Sequence, residues 1–134
     1  MKILYVCRAN VGRSQMAEAF HRTFYPVDKV VSAGTHVHDN EGKAIGEDLK
    51  ARFVWEVMDE EGIEVRDYKR NQLTEQISDE ADKIILITHP RDWPDYLIND
   101  PRIVYWDLED AKGTDFDFHV KTRDEIKSRV KDIK

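Results

Sequence analysis

The sequence is poor in cysteine, because its 134 residues include only Cys7. A single cysteine cannot form a disulfide within the chain, and no group of cysteines and histidines has the spacing of a zinc site. His36 and His38 have the spacing of two ligands on a strand, but no third ligand stands near them. We therefore predict a fold without covalent or metal crosslinks, with no metal site and no cofactor.

Basic residues and long apolar runs are also scarce. The chain has 21 lysines and arginines against 27 acidic residues, a net charge of -6. Nucleic acids and anionic membranes bind basic surfaces, so neither is an expected partner. No apolar run approaches the roughly 18 residues of a membrane span, and the N-terminus lacks the pattern of a signal peptide. We expect a cytoplasmic protein, with residues 1–134 forming one domain.

Four short apolar runs predict strands, at Lys2–Val6, Lys29–Ser32, Lys83–Thr88 and Arg102–Trp106. Segments with helical spacing alternate with them. The run from Ile84 to Ile87 is apolar at every position, which is typical of a parallel strand covered on both faces. The predicted fold is therefore α/β, a doubly wound four-stranded parallel sheet flanked by helices on both faces.

Two helices outside the N-terminal region are predicted from apolar spacing. The first has apolar residues at four-residue steps and should end at Gly62, where a left-handed cap would stop it. Its apolar residues are Ile45, Leu49, Phe53 and Val57. The second is a terminal helix that should dock through Ile126, Val130 and Ile133, with its charged residues facing solvent.

The segment from Cys7 to Ser14 lies between the first predicted strand and a helix that contains Met16, Ala17, Phe20 and Phe24. A loop that opens a helix directs several backbone N–H groups and the positive helix end toward one point, which favours a bound oxyanion. The same field favours the thiolate of Cys7, which is the nucleophilic form. The guanidinium of Arg13 can bind two oxygens of a phosphate side by side. The alternative is that Cys7 is only a small buried hydrophobic residue.

Several polar residues follow the predicted strands. In an open parallel sheet, ligands bind beyond the carboxyl ends of the strands. These ends bring Cys7, Thr35, His89 and the acidic segment 107–110 to one edge, with Thr35–Lys43 at its rim. Expulsion of an alkoxide or phenoxide from a phosphate monoester requires a proton donor. Asp107, Glu109 and Asp110 are the candidates at this edge.

The spacing of Cys7, Arg13 and Ser14, with Asn10 in the loop and Ala17-Glu18 after it, resembles the low-molecular-weight protein tyrosine phosphatases. It also resembles the arsenate reductases built on the same fold. Further landmarks follow in the family's order, namely Ser32-Ala33-Gly34-Thr35, Gly62-Ile63, Ala81-Asp82 and Trp106-Asp107-Leu108-Glu109-Asp110.

The resemblance implies a phosphomonoester hydrolase that acts through a cysteinyl-phosphate. Cys7 would be the nucleophile, Arg13 the oxyanion clamp and Asp110 the general acid and base. Asp110 matches the family's acid, although Ala111 replaces the proline that follows it there. The substrate would be bound by the whole loop, Arg8, Ala9, Asn10, Val11, Gly12, Arg13 and Ser14.

Other features depart from the family. Gly12 occupies the place of a second loop cysteine, and the two further cysteines of thioredoxin-coupled arsenate reductases are absent. Asp110 is followed by Ala111-Lys112-Gly113 in place of aromatic residues, so phosphotyrosine specificity is not predicted. The expected partner is a phosphorylated protein, a small phosphate ester or arsenate. Two alternatives stay open, an arsenate reductase that uses an external low-molecular-weight thiol and a non-catalytic oxyanion-binding domain.

Overall fold

The structure is a computed structural model that describes residues 1–133. Its centre is a four-stranded sheet in the order β2 (Lys29–Gly34), β1 (Lys2–Cys7), β3 (Lys83–Leu86) and β4 (Ile103–Tyr105). All neighbouring strands are parallel. The predicted α/β class and parallel sheet are confirmed, and each strand begins and ends within two residues of its predicted bounds.

Two apolar clusters cover the two faces of the sheet. On one face, Ile3 and Tyr5 of β1 pack with the helices α1 (Arg13–Phe24), α2 (Arg52–Asp59) and α4 (Phe116–Lys131). On the other face, Leu4 and Val6 pack against a cluster that includes Leu73, Ala81 and Leu97. Alternate strand residues point to opposite faces. Because both faces are covered, the run from Ile84 to Ile87 is buried at every position, as its uninterrupted apolar sequence predicted.

The prediction of a helix that includes Ile45 and Leu49 is wrong for the first half of that helix. Ile45–Glu47 and Leu49–Ala51 form separate 3-10 turns, and α2 begins only at Arg52. The backbone N–H of Ile45 donates to the Tyr68 carbonyl (3.0 Å), and the side chain of Asp48 caps the second turn. Ile45 is fully buried, whereas Leu49 is 78% exposed. The two residues therefore do not share the face that their spacing predicted.

The terminal helix is present as α4, with Ile126 and Val130 fully buried. The expectation that its charged residues all face solvent is wrong for Arg123. The guanidinium of Arg123 is buried and donates to the carbonyl of Val57 (2.9 Å) and to the carboxylate of Glu60 (2.6 Å). These hydrogen bonds join α4 to the end of α2.

The short helix α3 (Glu75–Asp79) has no counterpart among the predictions, because its five residues are too few to show a periodic pattern. It begins where the Thr74 side chain accepts a hydrogen bond from the Ile77 N–H (3.2 Å). In residues 1–133 no helix combines the length and the apolar composition needed to cross a membrane.

Candidate active site

The loop between β1 and α1 turns sharply at Asn10, whose φ is +53°. Asparagine tolerates this left-handed conformation better than most residues. The end of β2 supports the loop from one side, where Gly34 approaches its backbone closely. A Cβ atom at Gly34 would lie 2.6 Å from the Arg8 carbonyl oxygen and 2.8 Å from the Asn10 nitrogen. Glycine is therefore required there if the loop is to keep its shape.

The side chain of Asn10 is fully buried and holds the loop from within. Its amide nitrogen donates to the hydroxyl oxygens of Ser14 (2.8 Å) and Ser32 (3.0 Å). Its amide oxygen accepts from the Asn71 N–H (2.7 Å) and from the Gln15 side chain (3.2 Å). Four hydrogen bonds thus join the loop to α1, β2 and the segment after α2.

The sulfur of Cys7 lies 2.9 Å from the hydroxyl oxygen of Ser14. Because Ser14 Oγ already accepts a hydrogen bond from Asn10, the proton of Ser14 is available to donate to the sulfur. A thiolate can only accept hydrogen bonds, so this arrangement suits the charged form of Cys7.

The guanidinium of Arg13 is buried and fixed by main-chain carbonyls. Its Nη1 donates to the carbonyl oxygens of Ile87 (2.9 Å) and Leu108 (3.0 Å), which follow β3 and β4. Its Nη2 lies 3.6 Å from a carboxylate oxygen of Asp110. With Nη1 occupied, Nε and Nη2 form the edge that is available to two oxygens of a ligand.

A cavity of about 490 Å³ lies over the loop and brings together Cys7, Arg13 and Asp110. This volume falls within the roughly 300–1,000 Å³ of small-molecule sites, so there is room for more than a phosphate group. Asp107 and Glu109, the other two candidate acids, are exposed and lie outside the lining. Of the three acids, only Asp110 is therefore placed to reach a ligand in the cavity.

The remaining predicted loop residues divide into two sets. Ala9, Val11 and Gly12 line the cavity together with Arg13, whereas Arg8, Asn10 and Ser14 are outside its lining. The Asn10 and Ser14 side chains face inward, in the hydrogen-bond network described above.

Arg8 points away from the cavity. Its guanidinium donates to the Asp92 carboxylate (2.8 Å), which also accepts from the Thr88 hydroxyl (2.9 Å). Burial raises the pKa of Asp92, but the hydrogen bonds from Thr88 and Arg8, together with the charge of Arg8, leave that pKa below its ordinary value. Asp92 is therefore ionised near neutral pH and binds Arg8 as an ion pair.

The loop that carries Asp110 is held in place without a proline. One Asp110 oxygen accepts from the Lys112 N–H (3.0 Å). The neighbouring Ala111 is buried, and its carbonyl accepts from both the N–H (3.0 Å) and the hydroxyl of Thr114. The ring nitrogen Nδ1 of His119 lies 2.8 Å from the Asp115 carbonyl and 3.3 Å from the Thr114 hydroxyl. These contacts tie the acid loop to the first turn of α4.

Other residues predicted at this edge of the sheet have local roles. Thr35 bonds to His36 (2.7 Å), and His89 accepts from the Arg91 N–H (3.1 Å). From the predicted rim Thr35–Lys43, residues Asn40 and Lys43 line the cavity. Residues 1–133 contain no group of three or more side chains arranged to hold a metal ion.

Sequence reasoning missed the segment 69–71, which braces the loop from outside. Arg70 donates from Nε (3.2 Å) and Nη2 (3.1 Å) to the Ala9 carbonyl, and the carbonyl of Lys69 accepts from Gln15 (3.0 Å). The segment lies in a connection without regular secondary structure. Isolated polar residues in such a connection produce no periodic signal, so neither spacing nor composition could have identified them.

Comparison with known proteins identifies the family of the chain. The sequence profile of a family described as low molecular weight phosphotyrosine protein phosphatase matches residues 2–92. Arsenate reductase 1 of Bacillus cereus is 31% identical over 132 residues, which cover 96% of this chain and 90% of that protein.

Solved structures of other proteins share the fold. The low molecular weight protein tyrosine phosphatase from T. tengcongensis has a TM-score of 0.79 at 25% identity, covering 98% of this chain and 95% of that one. Vibrio vulnificus Wzb in complex with benzylphosphonate has a TM-score of 0.82 at 22% identity, covering 98% of this chain and 94% of that one. The chain therefore belongs to the low molecular weight phosphotyrosine protein phosphatase family, whose fold arsenate reductases share.

Proposed function

We propose that the protein is a phosphomonoester hydrolase that works through a cysteinyl-phosphate on Cys7. The observation that carries the proposal is that one cavity brings together Cys7, the Nε and Nη2 edge of the Arg13 guanidinium and the Asp110 carboxyl group. A nucleophile, an oxyanion clamp and a proton donor are the three groups that this reaction requires.

In the first step, the Cys7 thiolate attacks phosphorus and the bond to the leaving oxygen breaks. The electron pair of that bond goes to the leaving oxygen, which takes the proton of Asp110. Arg13 and the loop N–H groups bind the non-bridging oxygens, whose charge is redistributed in the transition state. Because Arg13 is already held by two carbonyls, it needs little reorganisation.

In the second step, water attacks the phosphorus of the cysteinyl-phosphate and gives its proton to the Asp110 carboxylate. The bond between sulfur and phosphorus breaks, and the electron pair returns to Cys7 as a thiolate. Ser14 donates its hydrogen bond to the departing sulfur, at the distance of 2.9 Å already present. Phosphate leaves and both groups regain their starting protonation.

The lining of the cavity supports a broad class of phosphate esters over phosphotyrosine alone. No phenylalanine, tyrosine or tryptophan among residues 1–133 lines it, so none of these large rings is present to stack on a phenol. A phosphorylated protein or a small phosphate ester would be the substrate.

Arsenate reduction with an external thiol is the second candidate, because the chain is similar to proteins named arsenate reductase. Cys7 is the only cysteine of the chain, so it cannot form an internal disulfide. Arsenate would bond to Cys7 with loss of water, and an external thiol would then supply electrons. Arsenic would gain two electrons and leave as arsenite, leaving Cys7 in a mixed disulfide that a second thiol reduces.

Parallel assays distinguish the two candidates. We would measure hydrolysis of p-nitrophenyl phosphate, and arsenite formation from arsenate with low-molecular-weight thiols, for the wild type and Cys7→Ala. The proposal expects ester hydrolysis that Cys7→Ala abolishes. Arsenite formation without ester hydrolysis would favour the reductase, and phosphate binding without either reaction would favour a non-catalytic oxyanion-binding domain.

A further inference from the structure

A second arginine lines the cavity beside the loop. Arg70 is only 7% exposed, yet no carboxylate in residues 1–133 lies within ion-pair distance of it. Its Nε and Nη2 donate to the Ala9 carbonyl, and Nη1, which keeps some solvent access, has no hydrogen-bond partner in this part of the chain. A largely buried charge without a counter-charge is costly. A bound anion would supply the missing counter-charge.

Lys43 lies next to Arg70 in the cavity wall. The Arg70 N–H donates to the Lys43 carbonyl (2.9 Å), and the Gly42 N–H donates to the Arg70 carbonyl (2.7 Å). Both side chains line the cavity. The only hydrogen bond of the Lys43 ammonium within residues 1–133 goes to the neutral side chain of Asn40 (3.3 Å). Two cations that lack an acidic partner therefore stand side by side.

Within residues 1–133, the acidic residues nearby form no ion pair with Arg70 or Lys43. Glu47 and Asp48 also line the cavity, but the Glu47 carboxylate accepts from the Ala44 N–H (2.6 Å). The Asp48 carboxylate accepts from the Lys50 N–H (3.0 Å). Five lining side chains are lysine or arginine and three are acidic, in a chain whose net charge is -6. The lining of the cavity thus carries a net positive charge, whereas the whole molecule carries a net negative charge.

We propose that Arg70 and Lys43 form a second anion subsite, so that the preferred substrate is a phosphate monoester carrying another acidic group, a carboxylate or a second phosphate. This inference rests on the proposed function, since the first phosphate would occupy the Cys7 loop. Arg70 contacts the Ala9 carbonyl, which places the subsite directly beside the loop. The cavity volume of about 490 Å³ accommodates both groups.

The test compares matched esters that differ in one charge. Meta-carboxyphenyl phosphate and meta-carbamoylphenyl phosphate have similar shapes, and only the first has a second anion. We expect kcat/KM to favour the carboxylate by about fivefold, the effect of one partly exposed ion pair. Lys43→Gln and Arg70→Gln should each reduce this preference toward one. The preference is the kcat/KM for the carboxylate ester divided by the kcat/KM for the amide ester. This ratio removes any general effect of Arg70→Gln on the loop, because such an effect would change both values equally.

Lys69→Gln is the matched control, because Lys69 is exposed, neighbours Arg70 and does not line the cavity. It should keep the wild-type preference. A preference of one in the wild type, or an unchanged preference in both Lys43→Gln and Arg70→Gln, would overturn the subsite.

A binding measurement separates this inference from the proposed function. Meta-carboxybenzylphosphonate and meta-carbamoylbenzylphosphonate have no cleavable ester bond, and their affinities can be measured by calorimetry. If neither ester is hydrolysed but the carboxylate still binds more tightly through Lys43 and Arg70, the proposed hydrolysis fails and the subsite stands. If both esters are hydrolysed and the two phosphonates bind equally, the subsite fails and the hydrolysis stands.

Discussion

The hydroxyl oxygen of Ser14 lies 2.9 Å from the sulfur of Cys7, and it accepts a hydrogen bond from Asn10 on its other side. This relay directs the Ser14 proton toward the sulfur. The same hydrogen bond would stabilise the thiolate each time it leaves phosphorus, so Ser14 belongs to the second step of the proposed reaction.

Ser14→Ala should therefore slow the hydrolysis of the intermediate more than its formation. A hydrogen bond to a charged group contributes about 1.5–3 kcal/mol, which corresponds to roughly a 10- to 100-fold fall in steady-state turnover. The burst of p-nitrophenolate should persist, as stopped-flow absorbance would show. Ser128→Ala, at an exposed position on α4, is the control and should behave as wild type. Loss of the burst, with no change in the steady-state rate of p-nitrophenolate release, would contradict this role.

Asp110→Asn should reduce turnover of phenyl phosphate by about 10²- to 10⁴-fold, the usual range for general acid catalysis. The loss should be smaller for p-nitrophenyl phosphate, because p-nitrophenolate is a better leaving group. Rates measured over a series of substituted phenyl phosphates should therefore depend more steeply on leaving-group pKa in the variant. If Asp110→Asn is neutral throughout the series while Asp107→Asn or Glu109→Gln abolishes hydrolysis, the acid has been assigned to the wrong residue.

Thr114→Val tests whether the contacts of Thr114 position the acid loop in place of proline. The change removes the hydroxyl that bonds the Ala111 carbonyl and faces His119. Loss of one neutral hydrogen bond should lower turnover of phenyl phosphate by about two- to tenfold. Thr114→Ser should retain most activity.

The double variant distinguishes positioning from a general loss of structure. If Thr114 acts through Asp110, Thr114→Val should cause little further loss in an Asp110→Asn background. An equal loss in both backgrounds would show that Thr114 does not act through the acid. The measurement is kcat for phenyl phosphate in all four proteins of the cycle.

The Asp100–Arg102 ion pair predicts a pH dependence of stability away from the active site. Hydrogen bonds from the side chain and backbone of Arg102 lower the pKa of Asp100 to about 2. A carboxylate with a lowered pKa contributes its full stabilisation above the ordinary value of 3.8, and this is lost as pH falls toward 2. Asp100→Asn should therefore unfold at a lower urea concentration than wild type at pH 7.

The difference between wild type and Asp100→Asn should shrink steadily from pH 4 to pH 2 in urea titrations. Asp67→Asn is a suitable control, because Asp67 is exposed and forms no ion pair or side-chain hydrogen bond within residues 1–133. It should unfold as wild type does across the range. A difference for Asp100→Asn that stays constant down to pH 2 would contradict the lowered pKa.

The strands and the position of the loop could be predicted because both depend on local sequence. Each strand is a short apolar run, and the run Ile84–Ile87 identified a strand buried on both faces. The first half of the predicted helix at Ile45 could not be foreseen. Its backbone donors bond to the carbonyls of Tyr68 and Arg66, which are distant in sequence. Tertiary hydrogen bonds there override an apolar spacing that favours helix.

In the candidate site, too, some residues could be identified from the sequence, whereas others depend on tertiary contacts. Cys7, Arg13 and Asp110 were identified from motif and order along the chain, and the structure places all three around one cavity. Arg70 and Thr114 were not identified, because their contacts with Ala9 and Ala111 depend on how separate loops meet. Residues of this kind carry no periodic or motif signal and become visible only in three dimensions.

The most direct test of the central claim is to locate the phosphoryl group during turnover of p-nitrophenyl phosphate. The reaction would be run in EDTA, quenched within the burst and analysed by mass spectrometry of proteolytic fragments. We predict a burst close to one equivalent of p-nitrophenolate, with the phosphoryl group on Cys7, and neither burst nor phosphorylation in Cys7→Ala. A phosphoryl group on another residue, or undiminished turnover by Cys7→Ala, would contradict the claim.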